Sequence, residues 1–170
     1  MMKRAWLVAW MILVFGSGAA FAQSAATPGL ALGRSGYFGL GFAGGFLVSP
    51  DMGGGMVSLD YYITDEIAVG PSFHLGSGPD DSYWGASGYV KFTAPLASNP
   101  DIRPFAFLGI GFVELDFKGR KDDPATTYLF PVGGGLEFEV SDMVIIEGCG
   151  IYYLTEDIFT GLMVGVRLIL

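Results

Sequence analysis

The sequence predicts an all-β fold, an eight-stranded antiparallel up-and-down transmembrane β-barrel. Long runs alternate apolar residues with small or polar ones, and this period of two is typical of strands with one apolar face. Charged residues make up only 15% of the 170-residue chain, whereas about 25% is typical of soluble domains. The 27 glycines and the aromatic content of 15% fit strands that face lipid on one side and a narrow lumen on the other.

Residues 1–22 are predicted to be a signal peptide. Lys3 and Arg4 form a positive start, the apolar run 5–15 is too short for a spanning helix, and residues 20–22 read Ala-Phe-Ala, a small-x-small cleavage site. A flexible periplasmic lead-in is expected at 23–36, followed by the barrel at 37–170. The leader holds no acidic residue, so its removal leaves seven basic and 17 acidic residues, a net charge of −10. This charge argues against a nucleic-acid partner.

The first four strands are predicted at 37–46, 56–63, 67–76 and 83–94. In the first, glycine alternates with aromatic residues, and glycine on the lumen face leaves room in a narrow barrel. The second and fourth direct Asp60 and Lys91 inward. The third directs Ser72 and His74 inward, and Pro71 on its outward face is expected to cost a ladder hydrogen bond or to mark a bulge.

The last four strands are predicted at 104–117, 127–140, 144–154 and 159–170. The fifth is amphipathic mainly in its second half, and its alternation assigns Phe105, Phe107, Val113, Leu115 and Phe117 outward and Leu108, Ile110, Phe112, Glu114 and Asp116 inward. The sixth to eighth direct Glu137, Glu139, Glu147, Cys149 and Arg167 inward. Turns inside the envelope are expected at 64–66, 94–103 and 141–143, and external loops at 47–55, 77–82, 118–126 and 155–158.

The candidate site is a network of charged groups in the lumen: Asp60, His74, Lys91, Glu114, Asp116, Glu137, Glu139, Glu147 and Arg167. Its simplest interpretation is structural, with Lys91 and Arg167 neutralising buried carboxylates. Since acids outnumber bases in this set, some carboxylates are expected to bind water or to lie near a mouth. A narrow cation-preferring path is an alternative, although eight strands leave little open bore.

Ser72 and His74 share a face, two residues apart, and such a pair suggests acyl transfer. Their predicted inward orientation would keep a lipid acyl chain from reaching them, so a hydrogen-bonding role in the lumen is favoured. Cys149 is the single cysteine and cannot form an internal disulfide. The spacing of the loop acids matches no calcium loop, and we expect neither a metal nor a cofactor.

Three segments carry a family resemblance: RPFAFLGIG at 103–111, GGGLEF at 133–138 and GVRLIL at 165–170. The chain resembles the small eight-stranded outer-membrane barrels of Gram-negative bacteria, the OmpA/OmpX-type, porin-like family. The resemblance implies an outer-membrane location, a monomer that contacts membrane lipids and lipopolysaccharide, and insertion by the barrel assembly machinery. The family usually ends in an aromatic residue, whereas this chain ends in Leu170.

We therefore expect a non-enzymatic barrel with a structural, envelope-stabilising or surface-interaction role. The alternatives are a lipid A acyl hydrolase that uses Ser72 and His74, and a narrow porin of low conductance. A soluble lipocalin-like barrel would place the apolar face inside, but the other face is rich in Gly, Ala and Ser and poor in Lys, unlike a soluble exterior.

Overall fold

The structure, a computed structural model, describes residues 33–49, 51–79, 81–117, 125–155 and 158–170. The predicted signal peptide, most of the predicted lead-in and most of the predicted loop at 118–126 lie outside the described residues. No helix in these ranges is long and apolar enough to cross a membrane. The chain forms strands β1 (Phe38–Ser49), β2 (Asp51–Tyr62), β3 (Ile67–Ser77), β4 (Asp81–Thr93), β5 (Ile102–Phe117), β6 (Ala125–Ser141), β7 (Val144–Leu154) and β8 (Ile158–Ile169).

These eight strands form one closed barrel. Each strand pairs antiparallel with its neighbours in the chain, and β1 pairs with β8 to close the sheet. Closure removes the unpaired edges that an open sheet would present, and an open edge is not tolerated in lipid. The predicted fold class, an antiparallel up-and-down barrel of eight strands, is confirmed.

The connections between strands gather at two ends of the barrel. The turn end carries the connections 63–66, 94–101 and 142–143, together with residues 33–37 and Leu170. The loop end carries the connections at 50, 78–80, 118–124 and 155–157. The expected loop at 47–55 is wrong, because Val48 pairs with Asp51 and a single residue separates β1 from β2. The glycines at 53–55 have no side chains to show alternation, so the sequence there looked like a loop.

Pro71 faces outward on β3 and interrupts the ladder as expected. It pairs in register with Gly88 on β4, but the pairing of β2 with β3 stops at Ser72 and resumes at Val69. Proline has no N–H group to donate, so this gap falls on the β2 side of the strand. The barrel tolerates it because the neighbouring pairs on both sides of the gap remain in register.

Inward and outward side chains follow the predicted alternation on seven strands and are inverted on β5. Phe105, Phe107, Val113 and Leu115 are buried in the interior, whereas Leu108, Ile110, Phe112 and Asp116 are exposed on the outer face. Both faces of β5 are apolar along much of its length, so its own alternation does not decide between them. The register with β4 decides which face of β5 points outward, because Glu114 pairs with Trp84 and shares its outward direction.

Candidate functional site

Lys91 lies at the centre of an ion-pair network inside the barrel. Alternation on β4 directs it inward, where only 1% of it is exposed. Its Nζ atom lies 2.6 Å from Glu137 Oε1 on β6 and 2.8 Å from Glu147 Oε2 on β7. The same atom lies 4.1 Å from the centroid of the Phe105 ring, within range of a cation–π interaction. One ammonium group therefore connects three strands.

Arg167 on β8 extends the network to the other side of Glu147. Its Nη2 atom lies 3.1 Å from Glu147 Oε1, and its Nη1 atom pairs with the carboxylate of Asp60 on β2. Strand β1 runs between β8 and β2 and contributes Gly41 at this level. A Cβ atom at Gly41 would lie 3.2 Å from Arg167 Nη2, so glycine leaves the guanidinium room to reach Asp60.

Two further arginines complete the network near the turn end. Arg34, which precedes β1, places Nη1 2.7 Å from Glu137 Oε2 and Nη2 3.3 Å from Glu139 Oε2. Arg103 on β5 places Nη2 3.0 Å from the same Glu139 oxygen. Burial lowers the pKa of Arg34, but Glu137 and Glu139 raise it by more, so the pKa lies above its ordinary value and the guanidinium stays charged.

The network is balanced in charge. Among the described residues, it joins four cations, Arg34, Lys91, Arg103 and Arg167, to four carboxylates, Asp60, Glu137, Glu139 and Glu147. A buried charge is costly unless it is paired, so equal numbers of each sign are what a closed interior requires. The expected surplus of acids in the lumen is wrong.

The number of acidic side chains in the lumen was overestimated, because two predicted members of the network lie outside it. Glu114 and Asp116 belong to the inverted strand β5 and face outward near the loop end. Conversely, Arg34 and Arg103 were missed, since Arg34 lies in the expected lead-in and Arg103 in the expected turn at 94–103. Position 103 lies on the same face of β5 as positions 105 and 107. A predicted β5 that began two residues earlier, with Phe105 inward, would therefore have placed Arg103 in the lumen network. No alternation marks Arg34, which is not on a strand.

His74 belongs to a separate hydrogen-bonded cluster in the interior. Its Nε2 atom lies 2.8 Å from Ser72 Oγ and 3.0 Å from Ser87 Oγ, and its Nδ1 atom lies 2.9 Å from Tyr153 Oη. Both ring nitrogens therefore have partners, and none of these partners is a carboxylate. Ser72 and His74 are 5% and 1% exposed. Their mutual geometry resembles a nucleophile and a base, but the pair is enclosed by the barrel wall.

Apolar side chains fill the interior between this cluster and the loop end. The buried set includes Leu47, Met52, Val113, Leu115, Leu129, Ile151, Phe159 and Met163. A cavity of about 10 Å³ lies deeper, between His74, Tyr89, Lys91, Glu147, Cys149 and Arg167. This volume is about what one water molecule needs. Around this cavity the described interior is filled by apolar side chains and paired charges.

The outer face is apolar from the turn end to a level near the loop end. Phe42, Leu59, Phe73, Leu108, Phe138 and Val164 are among its large exposed side chains. Among the described residues, the charged side chains that alternation directs outward from a strand are Asp51, Glu114 and Asp116, and all three lie near the loop end. Such a surface is unstable in water and suited to lipid. Trp84 contacts Phe112 edge-on, with ring centroids 5.6 Å apart, and lies beside Glu114 where the apolar surface ends.

No protein-family model matches the sequence, and no curated protein is similar to it. Solved structures are similar in fold. The N-terminal β-barrel domain of Pseudomonas aeruginosa OprF shares 14% identity over 82% of this chain and all of that chain, with a TM-score of 0.62. The chain has the fold of the eight-stranded outer-membrane β-barrels.

Two other structures with the outer-membrane barrel fold support this assignment. Neisserial surface protein A is 14% identical over 79% of this chain and 97% of that chain, with a TM-score of 0.64. The attachment invasion locus protein Ail of Yersinia pestis is 16% identical over the same shares, with a TM-score of 0.56. These likenesses concern the fold, and function must be argued from the residues of this chain.

The described residues hold no group of three or more His, Cys, Asp or Glu placed to bind a metal ion. Cys149 is buried beside the cavity and has no disulfide partner.

Proposed function

We propose that this chain is an integral outer-membrane barrel whose role is structural, envelope-stabilising or surface-interacting. One observation carries the proposal: the outer face is apolar, while the interior is closed by a balanced network of charges and an apolar core. A protein built in this way has its working surfaces on the outside, against lipid and at the loop end. We propose lipopolysaccharide and outer-membrane lipids as its contacts and the barrel assembly machinery as its route of insertion.

We propose that the barrel is a monomer that does not conduct. The cavity of about 10 Å³ is too small for a hydrated ion, and the apolar core separates it from the loop end. The connections at the loop end are short, so they offer little surface to a protein partner. This favours envelope stabilisation over adhesion.

The runner-up function is lipid A acyl hydrolysis by Ser72 and His74, favoured by the 2.8 Å separation of Ser72 Oγ and His74 Nε2. Against it, both side chains face inward and neither can meet an acyl chain in the bilayer. The absence of a carboxylate partner for His74 also leaves the base without the usual orienting group. We therefore propose that the barrel is not an enzyme.

One experiment distinguishes these roles. Outer membranes from cells with and without the expressed chain are compared by lipid A mass spectrometry and by sensitivity of the cells to detergent. We expect an unchanged lipid A spectrum and a higher detergent resistance when the chain is present. If lipid A loses an acyl chain when the protein is expressed, and only while Ser72 and His74 are intact, the enzymatic role replaces the structural one.

A further inference from the structure

The residues just before β1 are fixed to the rim of the turn end. Gly36 N donates to Tyr62 O at 2.8 Å, and Tyr37 N donates to Arg34 O at 3.0 Å, which closes a turn around Gly36. Gly36 has a φ of 86°, a backbone conformation that residues other than glycine rarely adopt. Ser35 N also donates to Asp65 Oδ1 at 2.9 Å. Residues 33–36 are here named the N-terminal strap.

The strap sends one side chain across the mouth of the barrel. Its backbone lies against Tyr62 at the end of β2, while the Arg34 guanidinium reaches Glu137 on β6 at 2.7 Å. Strands β2 and β6 are four positions apart in either direction around the eight-stranded sheet, so they stand on opposite walls. Arg34 thus crosses the mouth, and its guanidinium lies 5.7 Å from the centroid of the Tyr62 ring.

The turn end also carries a small buried apolar cluster. Tyr62, Ala68, Ile145 and Ile169 form an apolar cluster separate from the main core, and each is at most 7% exposed. Arg34 itself is 4% exposed although it belongs to a segment outside the sheet. A cation takes this position because Glu137 and Glu139 point toward the same mouth.

We propose that the N-terminal strap is a closing device that keeps water and solutes out of the barrel from the turn end, with Arg34 as its closing side chain. Arg103 neutralises Glu139 from the barrel wall, whereas Arg34 neutralises Glu137 and Glu139 from a segment outside the sheet. Loss of the strap therefore opens the mouth and leaves Glu137 facing water without its arginine. The segment before β1 thereby controls entry to the interior.

Cys149 provides the test, because it is the single cysteine of the chain and it lines the cavity above the network. The rate at which a small charged methanethiosulfonate reagent labels Cys149 is measured in the refolded barrel. The variants are R34Q and, as a matched control, R103Q, which removes a cation from the same Glu139 but leaves the strap in place. Heat-dependent gel mobility confirms that each variant is folded before labelling.

We expect R34Q to accelerate labelling about tenfold or more through local opening, and R103Q to change it little. R34K keeps a cation in the mouth and should label nearly as slowly as the unmodified protein. Equal labelling rates for R34Q and the unmodified protein would overturn the proposed role of the strap. So would equal acceleration by R34Q and R103Q, since that result would mean that charge balance alone controls access.

A second variant covers the case in which R34Q does not fold. S35A/D65A removes two exposed anchors of the strap, the bonds from Ser35 to Asp65 and to Ile63 O, and leaves the buried network intact. It should also accelerate labelling, and an unchanged rate would count against the strap. The assay is done in detergent micelles, so its result is independent of the proposed role in the envelope.

Discussion

His74 on β3 and Tyr153 on β7 face each other from opposite walls of the barrel, with Nδ1 and Oη 2.9 Å apart. The two strands are four positions apart in the closed sheet, so this one hydrogen bond spans the interior. The rings also meet edge-on, with centroids 5.2 Å apart. The pair marks the level at which the polar interior gives way to the apolar core.

Loss of the Tyr153 hydroxyl tests this spanning contact. Y153F leaves His74 Nδ1 buried without its partner, and an unmet hydrogen bond of this kind costs about 1–3 kcal/mol. The measurement is the free energy of unfolding in urea with lipid vesicles. Y61F is the control, because Tyr61 is 42% exposed on the outer face, and we expect it to change stability by less than about 0.5 kcal/mol. Equal effects of the two changes would contradict the contact.

Two glutamates distinguish the interior network from the outer rim. E147Q removes the carboxylate that pairs with both Lys91 and Arg167, and unpaired buried charges cost about 3–5 kcal/mol. E114Q makes the same chemical change on the outward face of β5, beside Trp84, and should cost less than about 0.5 kcal/mol. Equilibrium unfolding of both variants checks the inversion of β5: a large loss for E114Q would restore the orientation that the sequence suggested.

Two glycines of β1 test how tightly the interior is filled. A Cβ atom at Gly41 would lie 2.5 Å from Ser58 Oγ and 3.2 Å from Arg167 Nη2, so G41V should destabilise the barrel by about 1–3 kcal/mol, the range for overpacking. Gly44 faces outward, and a Cβ there would meet nothing closer than 3.9 Å. G44V should therefore be neutral or slightly stabilising, because valine favours strands. Thermal unfolding measures both, and a tolerated valine at 41 would mean that Arg167 is not held in place.

A lysine on the outer face tests the contact with lipid. Val164 lies near the middle of β8 and is 66% exposed. V164K should cost about 2–4 kcal/mol in a bilayer, the range for a basic side chain at the midplane of a barrel. T126K places the same charge near the loop end and should cost at most about 1 kcal/mol. Folding equilibria in vesicles are the measurement; similar costs at both positions would argue that neither is in lipid.

The sequence predicted the strand number, the closure and the orientation of seven strands, because alternation is clear where one face is apolar and the other is not. It failed on β5, where Phe107 and Leu108 are equally apolar and only pairing with β4 separates them. The position of Arg34 could not be predicted, since it depends on a turn around Gly36 that directs the side chain across the mouth.

The distribution of the interior charges among strands has a consequence for how the barrel is made. Glu137, Glu139 and Glu147 lie on the consecutive strands β6 and β7, whereas their cations come from β4, β5, β8 and the N-terminal strap. Strands β6 and β7 alone in hydrocarbon would carry carboxylates with no partners, and the desolvation of those carboxylates would be costly. We therefore expect β6 and β7 to leave water only together with the strands and the strap that supply their cations.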